Sequence, residues 1–185
     1  MPRILMPITH GVEEMEAVTI IDTLRRADWD VVVAGIPDTQ IHASRGVSLT
    51  ADTLWSAVTL SDFDAMVIPG GTDQALSLVE NTSVLDAVRH FADRGKMVAA
   101  ICAAPLILER AGVLKGRKAT AYPSVLDQLK SAQQSEDRVV IDGTIMTSRG
   151  PGTALEFALA LIREMQGPGA AQAVAAPMLV PEGAL

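Results

Sequence analysis

The chain has 185 residues, 49% of them hydrophobic and 3% aromatic, with a formal net charge of −7 and an isoelectric point near 4.9. That length predicts one domain, 1–185, whose core must be aliphatic, as suits parallel strands covered by helices. Acidity without a continuous Lys/Arg stripe argues against a nucleic-acid backbone as ligand, and one cysteine excludes an internal disulfide or a Cys-rich metal site.

Residues 3–8, RILMPI, are an apolar run ending at Thr9-His10-Gly11, which reads as a strand and a turn and is too short for a secretory signal core. From Glu13 to Ala27, Met15, Val18, Ile21 and Leu24 recur at helical spacing, with Glu13-Glu14 first and Arg25-Arg26 last to complement the dipole. WDVVVAG (29–35) is the next strand, so the first 35 residues form a right-handed βαβ unit. GVSLTAD (46–52) alternates weakly, as an edge hairpin element does. FDAMVIPGG (63–71) is a buried strand ending in two glycines, and 82–95 is an amphipathic helix stopped by Gly95.

KMVAAI (96–101) is a strand with Cys102 at its carboxyl end and a helix, 103–111, directly after it. The longest apolar run, Met97 to Leu108, falls well short of the roughly 20 residues a membrane helix needs, so a soluble, cytoplasmic protein is expected. A short strand near 118–121, a helix near 124–131 and a hairpin over 138–148 about Asp142-Gly143 follow. A strong helix spans 152–165, Gly167-Pro168-Gly169 breaks it, and a C-terminal helix lies near 170–177. Strands alternating with helices predict a doubly wound α/β sandwich with a mostly parallel sheet.

Ligands of such sheets bind beyond the carboxyl ends of the strands. The loops there deliver His10, Glu13, Glu14, Glu16, Gly70, Gly71 and Cys102 to one edge. A cysteine where a strand turns into a helix is either a small core residue or a nucleophile whose pKa the helix dipole lowers. Glu16 shares the inward side of its helix with Thr19 and Ile20. It is either a solvated first-turn acid, like Glu13 and Glu14, or a desolvated carboxyl that stays protonated beside the thiol. Gly70 and Gly71 form an ordinary turn, or join the Ala103 amide in an oxyanion hole. His10 is a candidate partner of the thiol, while Ser148-Arg149-Gly150-Pro151-Gly152-Thr153 either holds an anion or caps the following helix through a hydroxyl.

Taken together, GVEEMEAVTIIDTLRRA, VVVAG, SRGV (44–47), DAMVIPGG, AAICAAP, TSRGPGTALEFALA and the closing AAQAVAAPMLV resemble the ThiJ/PfpI superfamily, in particular its DJ-one-like branch. The resemblance runs from about residue 3 to 180. It implies a flavodoxin-like three-layer sandwich and a homodimer. It also implies a reactive Cys102 with Glu16 as partner acid, and Gly71 and Ala103 as the positions whose amides line the site. The activities it implies need no cofactor or metal. They are glutathione-independent glyoxalase action, deglycation of early methylglyoxal or glyoxal adducts on proteins and nucleotides, and stress-linked chaperone action with an oxidisable cysteine. The partners are then a small reactive aldehyde or a glycated adduct, with no membrane and no sequence-specific nucleic-acid binding.

The departures are specific. Where the family often has Thr-His-Pro this chain reads AYPSV, so Tyr122 stands at the histidine position and base work falls to Glu16 or His10. The protease branch has His directly after Cys, where Ala103 stands here. Glutamine amidotransferases need a downstream histidine, and none follows Cys102. The isocyanide hydratase branch has Asp and Thr at the positions of Glu16 and Ala103.

Overall fold

The computed structural model describes residues 1–181. β1 (Arg3–Thr9), α1 (Glu14–Arg26) and β2 (Asp30–Ile36) form the expected βαβ unit. A hairpin of β3 (Gln40–His42) and β4 (Ser48–Thr50) makes a separate two-stranded sheet, and β5 (Thr53–Leu54) is the true edge strand. β6 (Ala65–Ile68), α2 (Thr72–Leu78), α3 (Thr82–Asp93), β7 (Met97–Ile101) and α4 (Pro105–Ala111) follow. Then come β8 (Lys118–Ala119), α5 (Pro123–Leu126), β9 (Gln133–Gln134), β10 (Val139–Asp142), β11 (Ile145–Ser148), α6 (Ala154–Gln166) and α7 (Pro168–Ala175).

The main sheet has seven strands in the order β10-β11-β7-β6-β1-β2-β5, all parallel except β10. Alternate strand residues point to opposite faces. Ile4, Met6 and Ile8 of β1 pack with Ile20, Phe157 and Leu161 under α1, α6 and α7. Leu5 of the same strand packs with Val88, Phe91 and Ile107 under α3 and α4. The result is the flavodoxin-like three-layer sandwich.

Several expected elements shift. α2 had no counterpart in the sequence pattern. The helix expected near 124–131 is the single turn α5, and the loop of the last hairpin is Gly143-Thr144, with Gly143 at φ +62°, one residue beyond Asp142-Gly143. Gly167, at φ +92°, ends α6, and Pro168 then opens α7 at its first position, where a missing N–H costs nothing. In α1 the buried face is Glu16, Ala17, Ile20, Thr23 and Leu24, while Met15 and Val18 of the predicted apolar stripe are 61% and 48% exposed. No helix among the described residues is long and apolar enough to cross a membrane.

Candidate active site

β7, β6 and β1 are adjacent in the middle of the sheet, so their carboxyl ends lie side by side. The chain leaves β1 toward β2 on one side, while β6 and β7 lie on the other; this reversal is where an open parallel sheet leaves a crevice. The crevice here is a cleft of about 500 Å³ lined by Glu13, Arg45, Gly71, Cys102, Ala103 and Tyr122, among others.

Cys102 sits at φ +65°, a left-handed conformation that non-glycine residues seldom adopt. Neighbouring strands and turns hold it there: its N–H donates to Ser148 O at 3.0 Å and its carbonyl accepts from Tyr122 N–H at 2.8 Å. The side chain is 9% exposed, and its sulfur receives the amides of Gly71 and Ala103.

Glu16 is fully buried one turn into α1. Glu13 caps that helix by accepting the Glu16 N–H at 2.7 Å, and Glu16 Oε2 in turn accepts the Gly70 N–H at 2.7 Å. Oε1 is buried with no hydrogen-bond partner of good geometry, and the group the carboxyl is coupled to is the Cys102 thiol. Both glycines are required. A Cβ on Gly70 would lie 2.5 Å from Cys102 Cβ and 2.6 Å from Glu16 Oε2. Gly71, at φ +105°, would drive a Cβ into Gly11 O.

Burial pushes the Glu16 carboxyl up to about 7, helped by the charge of Glu13 and opposed by Gly70 N–H and the thiol. Burial, then the charge and hydrogen bonding of Glu16, push the Cys102 thiol up to about 12 against the Gly71 and Ala103 amides. Burial and Glu16 thus outweigh the two amides, which alone would lower the thiol pKa. Two desolvated acids in contact resist a second negative charge, so the pair holds one at most near neutrality.

Of the other expected residues, Gly70 gives its amide to Glu16 and leaves the sulfur to Gly71 and Ala103. Tyr122 lines the cleft, half its ring exposed. His10 does not reach the thiol. Its Nδ1 accepts from His42 N–H at 3.1 Å, its ring stacks on His42 at 5.5 Å, and both face a separate cleft. Arg149 lies in a depression beside Tyr122.

Two residues that hold the loops around the cleft escaped the sequence pattern. Glu14, expected to be solvated, is 7% exposed and accepts Ser44 Oγ–H at 2.9 Å and Arg45 N–H at 2.8 Å, which fixes the β3–β4 turn at the cleft. Burial alone would raise its pKa, but hydrogen bonds from the backbone and Ser44 outweigh it and hold the carboxyl below its ordinary value. Gln74, fully buried on α2, accepts Thr9 N–H at 2.8 Å and donates to Pro69 O at 2.7 Å, tying β1 to β6 beside Gly70. Asp73 after Gly71, with Ala75 and Leu78 three apart, is the signal that would have disclosed α2. Among the described residues no three His, Cys, Asp or Glu side chains gather as a metal site.

Residues 2–164 match the DJ-1/PfpI family. The Arabidopsis thaliana protein DJ-1 homolog B is 44% identical over 168 residues, which cover 90% of this chain and 38% of that relative. The chain thus spans well under half the length of this plant protein. Drosophila melanogaster dj-1beta is 40% identical over 179 residues, covering 95% of this chain and 96% of the fly protein. The crystal structure of the fly protein has a TM-score of 0.93, covering 97% of this chain and 98% of that one. A structure of oxidized Toxoplasma gondii DJ-1, at 41% identity, also has a TM-score of 0.93, with coverage of 97% and 98%. In sequence and in fold, this chain belongs to the DJ-1/PfpI family.

Proposed function

We propose that the protein is a cofactor-free glyoxalase or deglycase acting on methylglyoxal, glyoxal or their early adducts, with Cys102 as nucleophile and Glu16 as base. The observation that carries this is a cleft lined by Cys102, Gly71 and Ala103, with the buried Glu16 carboxyl, pushed up to about 7, behind the thiol. A general base is most effective when its pKa lies near the working pH, and a thiol that cannot ionise alone needs one beside it.

With methylglyoxal, the sulfur bonds to the aldehyde carbon as Glu16 takes the thiol proton. The Gly71 and Ala103 amides hold the oxygen, and the proton returns to it, giving a hemithioacetal and a free carboxylate. Glu16 then removes the C1 hydrogen and returns a proton to C2 through an enediol. The product is a lactoyl thioester, an isomer of the hemithioacetal. Water cleaves the thioester to lactate and restores the thiol, so no electrons leave or enter. An early adduct follows the same route, with the amine or other adducted group released when the aldehyde carbon is captured. Lactate formed from methylglyoxal without glutathione is the measurement, and equal turnover by Cys102→Ala sinks the proposal.

A second reading has its own support, since the Toxoplasma relative is described in an oxidized state. Protonated Glu16, with Oε1 unengaged, can donate to an oxygen on Cys102 and stabilise a sulfinate, making the thiol a stress sensor. Mass analysis after mild peroxide should then find two added oxygens on Cys102 in the wild type and other products in Glu16→Gln. An unmodified Cys102 rejects sensing. In either case a homodimer in the cytoplasm is proposed.

A further inference from the structure

Beside Tyr122 lies a second, shallow and open surface depression of about 250 Å³, lined by Tyr122, Pro123, Arg138, Arg149, Gly150 and Gly152. It shares Tyr122 and Pro151 with the Cys102 cleft, so the two adjoin. The ring lies against Gly150, where a Cβ would come within 3.2 Å of Tyr122 Cδ2.

The depression's two guanidinium groups differ. Arg138 is committed, with Nε on Glu156 Oε2 at 2.7 Å and Nη2 on Gly152 O at 2.8 Å. Arg149 is half-buried and donates only through Nη1, to Glu136 O at 2.9 Å, and forms no ion pair among the described residues. The loop amides are not available in its place. Thr153 Oγ1 accepts the N–H groups of Arg149 and Gly150 at 3.3 and 3.1 Å, so the hydroxyl caps the turn, and of the two guanidinium groups Arg149 is the one with donors to spare. A chain of net charge −7 thus keeps a partly desolvated cation without a counter-charge beside its thiol. Such a cation is stabilised by an oxyanion that uses its unfilled donors in the fork geometry of guanidinium.

From this we infer that Arg149 anchors a phosphate or carboxylate group of the substrate beside Tyr122 while the substrate's carbonyl carbon reaches Cys102. The site then favours carbonyl compounds or adducts that carry an oxyanion over small neutral dicarbonyls. The substrate assignment rests on the aldehyde chemistry proposed above; the subsite does not.

Calorimetric titration of wild type and Cys102→Ser with glycerol 3-phosphate, acetate and glycerol tests the subsite without any chemistry. Saturable binding of at least one anion to both proteins is expected, weakening with salt, with none for neutral glycerol. Phosphate binding alone identifies a phosphate site, and acetate binding alone a carboxylate site. Arg149→Gln should weaken binding at least fivefold and Arg149→Lys less, while Arg94→Gln, at the C-terminal end of α3, leaves it unchanged. Arg149→Gln must melt within a few degrees of wild type; if it does not, Arg149→Lys at unchanged stability decides. No saturable binding, indifference to both Arg149 variants, or equal loss in Arg94→Gln overturns the subsite. Failure of lactate formation would overturn the catalytic proposal and leave this result standing.

Discussion

Glu16 is held at the end of β6 by a hydrogen bond from Gly70 N–H, and its other oxygen is buried without a hydrogen-bond partner of good geometry. Its charge raises the thiol pKa, yet its basicity is what the proposed chemistry uses. Glu16→Gln separates the two effects. Without the carboxylate, Cys102 ionises more readily, so alkylation by iodoacetamide at pH 8 should become several-fold faster. Lactate formation should fall by roughly 10²–10⁴-fold, the usual worth of a general base. Parallel loss of both rates would mean that Glu16 only shapes the pocket. Stability carries a second signature. A carboxyl raised from 4.5 to about 7 holds its proton more tightly in the folded state, so its contribution is complete below pH 4.5 and is lost as pH rises through 7. The loss is on the order of 3 kcal/mol. Urea midpoints of wild type should fall relative to Glu16→Gln across that window, and parallel curves would contradict the raised pKa.

At the scale of elements, strands and long helices were legible because burial imposes a period. β1, β2, β6, β7, α3 and α6 fall within a few residues of their apolar runs. α1 was legible as a helix but not in its orientation, since Glu16 and Thr23 occupy its buried face and Met15 and Val18 its exposed one. A buried carboxyl turned toward the sheet inverts the usual sign of the pattern. Cys102, Glu16, Gly71 and Ala103 could be placed together from strand ends and the family resemblance. The thiol's ionisation could not, because desolvation depends on packing that no spacing encodes. The Glu14 clasp was invisible for a related reason, as its partners Ser44 and Arg45 are 30 or more residues away. Glu14→Ala removes two charge-assisted hydrogen bonds and should cost about 2 kcal/mol. Faster amide exchange confined to 43–47 would show the turn released. Unchanged exchange there would show that backbone bonds such as Ser44 N–H to Val12 O suffice.

For the whole molecule, the exposed apolar side of α1 needs an explanation. Met15 and Val18 lie one turn apart, and Met15 also lines the Cys102 cleft. Helical neighbours at this spacing form a continuous apolar surface, which a two-fold related copy can cover with the same patch. A copy seated there would close the cleft mouth from the Met15 side, which links assembly to water exclusion around the thiol–carboxylate pair. Light scattering coupled to size exclusion should therefore give twice the 19.5 kDa chain mass at micromolar concentration. Val18→Glu should return the mass to one chain with an unchanged far-ultraviolet spectrum. Val18 is half-exposed in the isolated chain, so this charge burdens the interface and not the fold. If the monomer so formed also loses lactate production while keeping its structure, the cleft depends on the second copy. A wild type that is monomeric under these conditions removes the dimer and that dependence together.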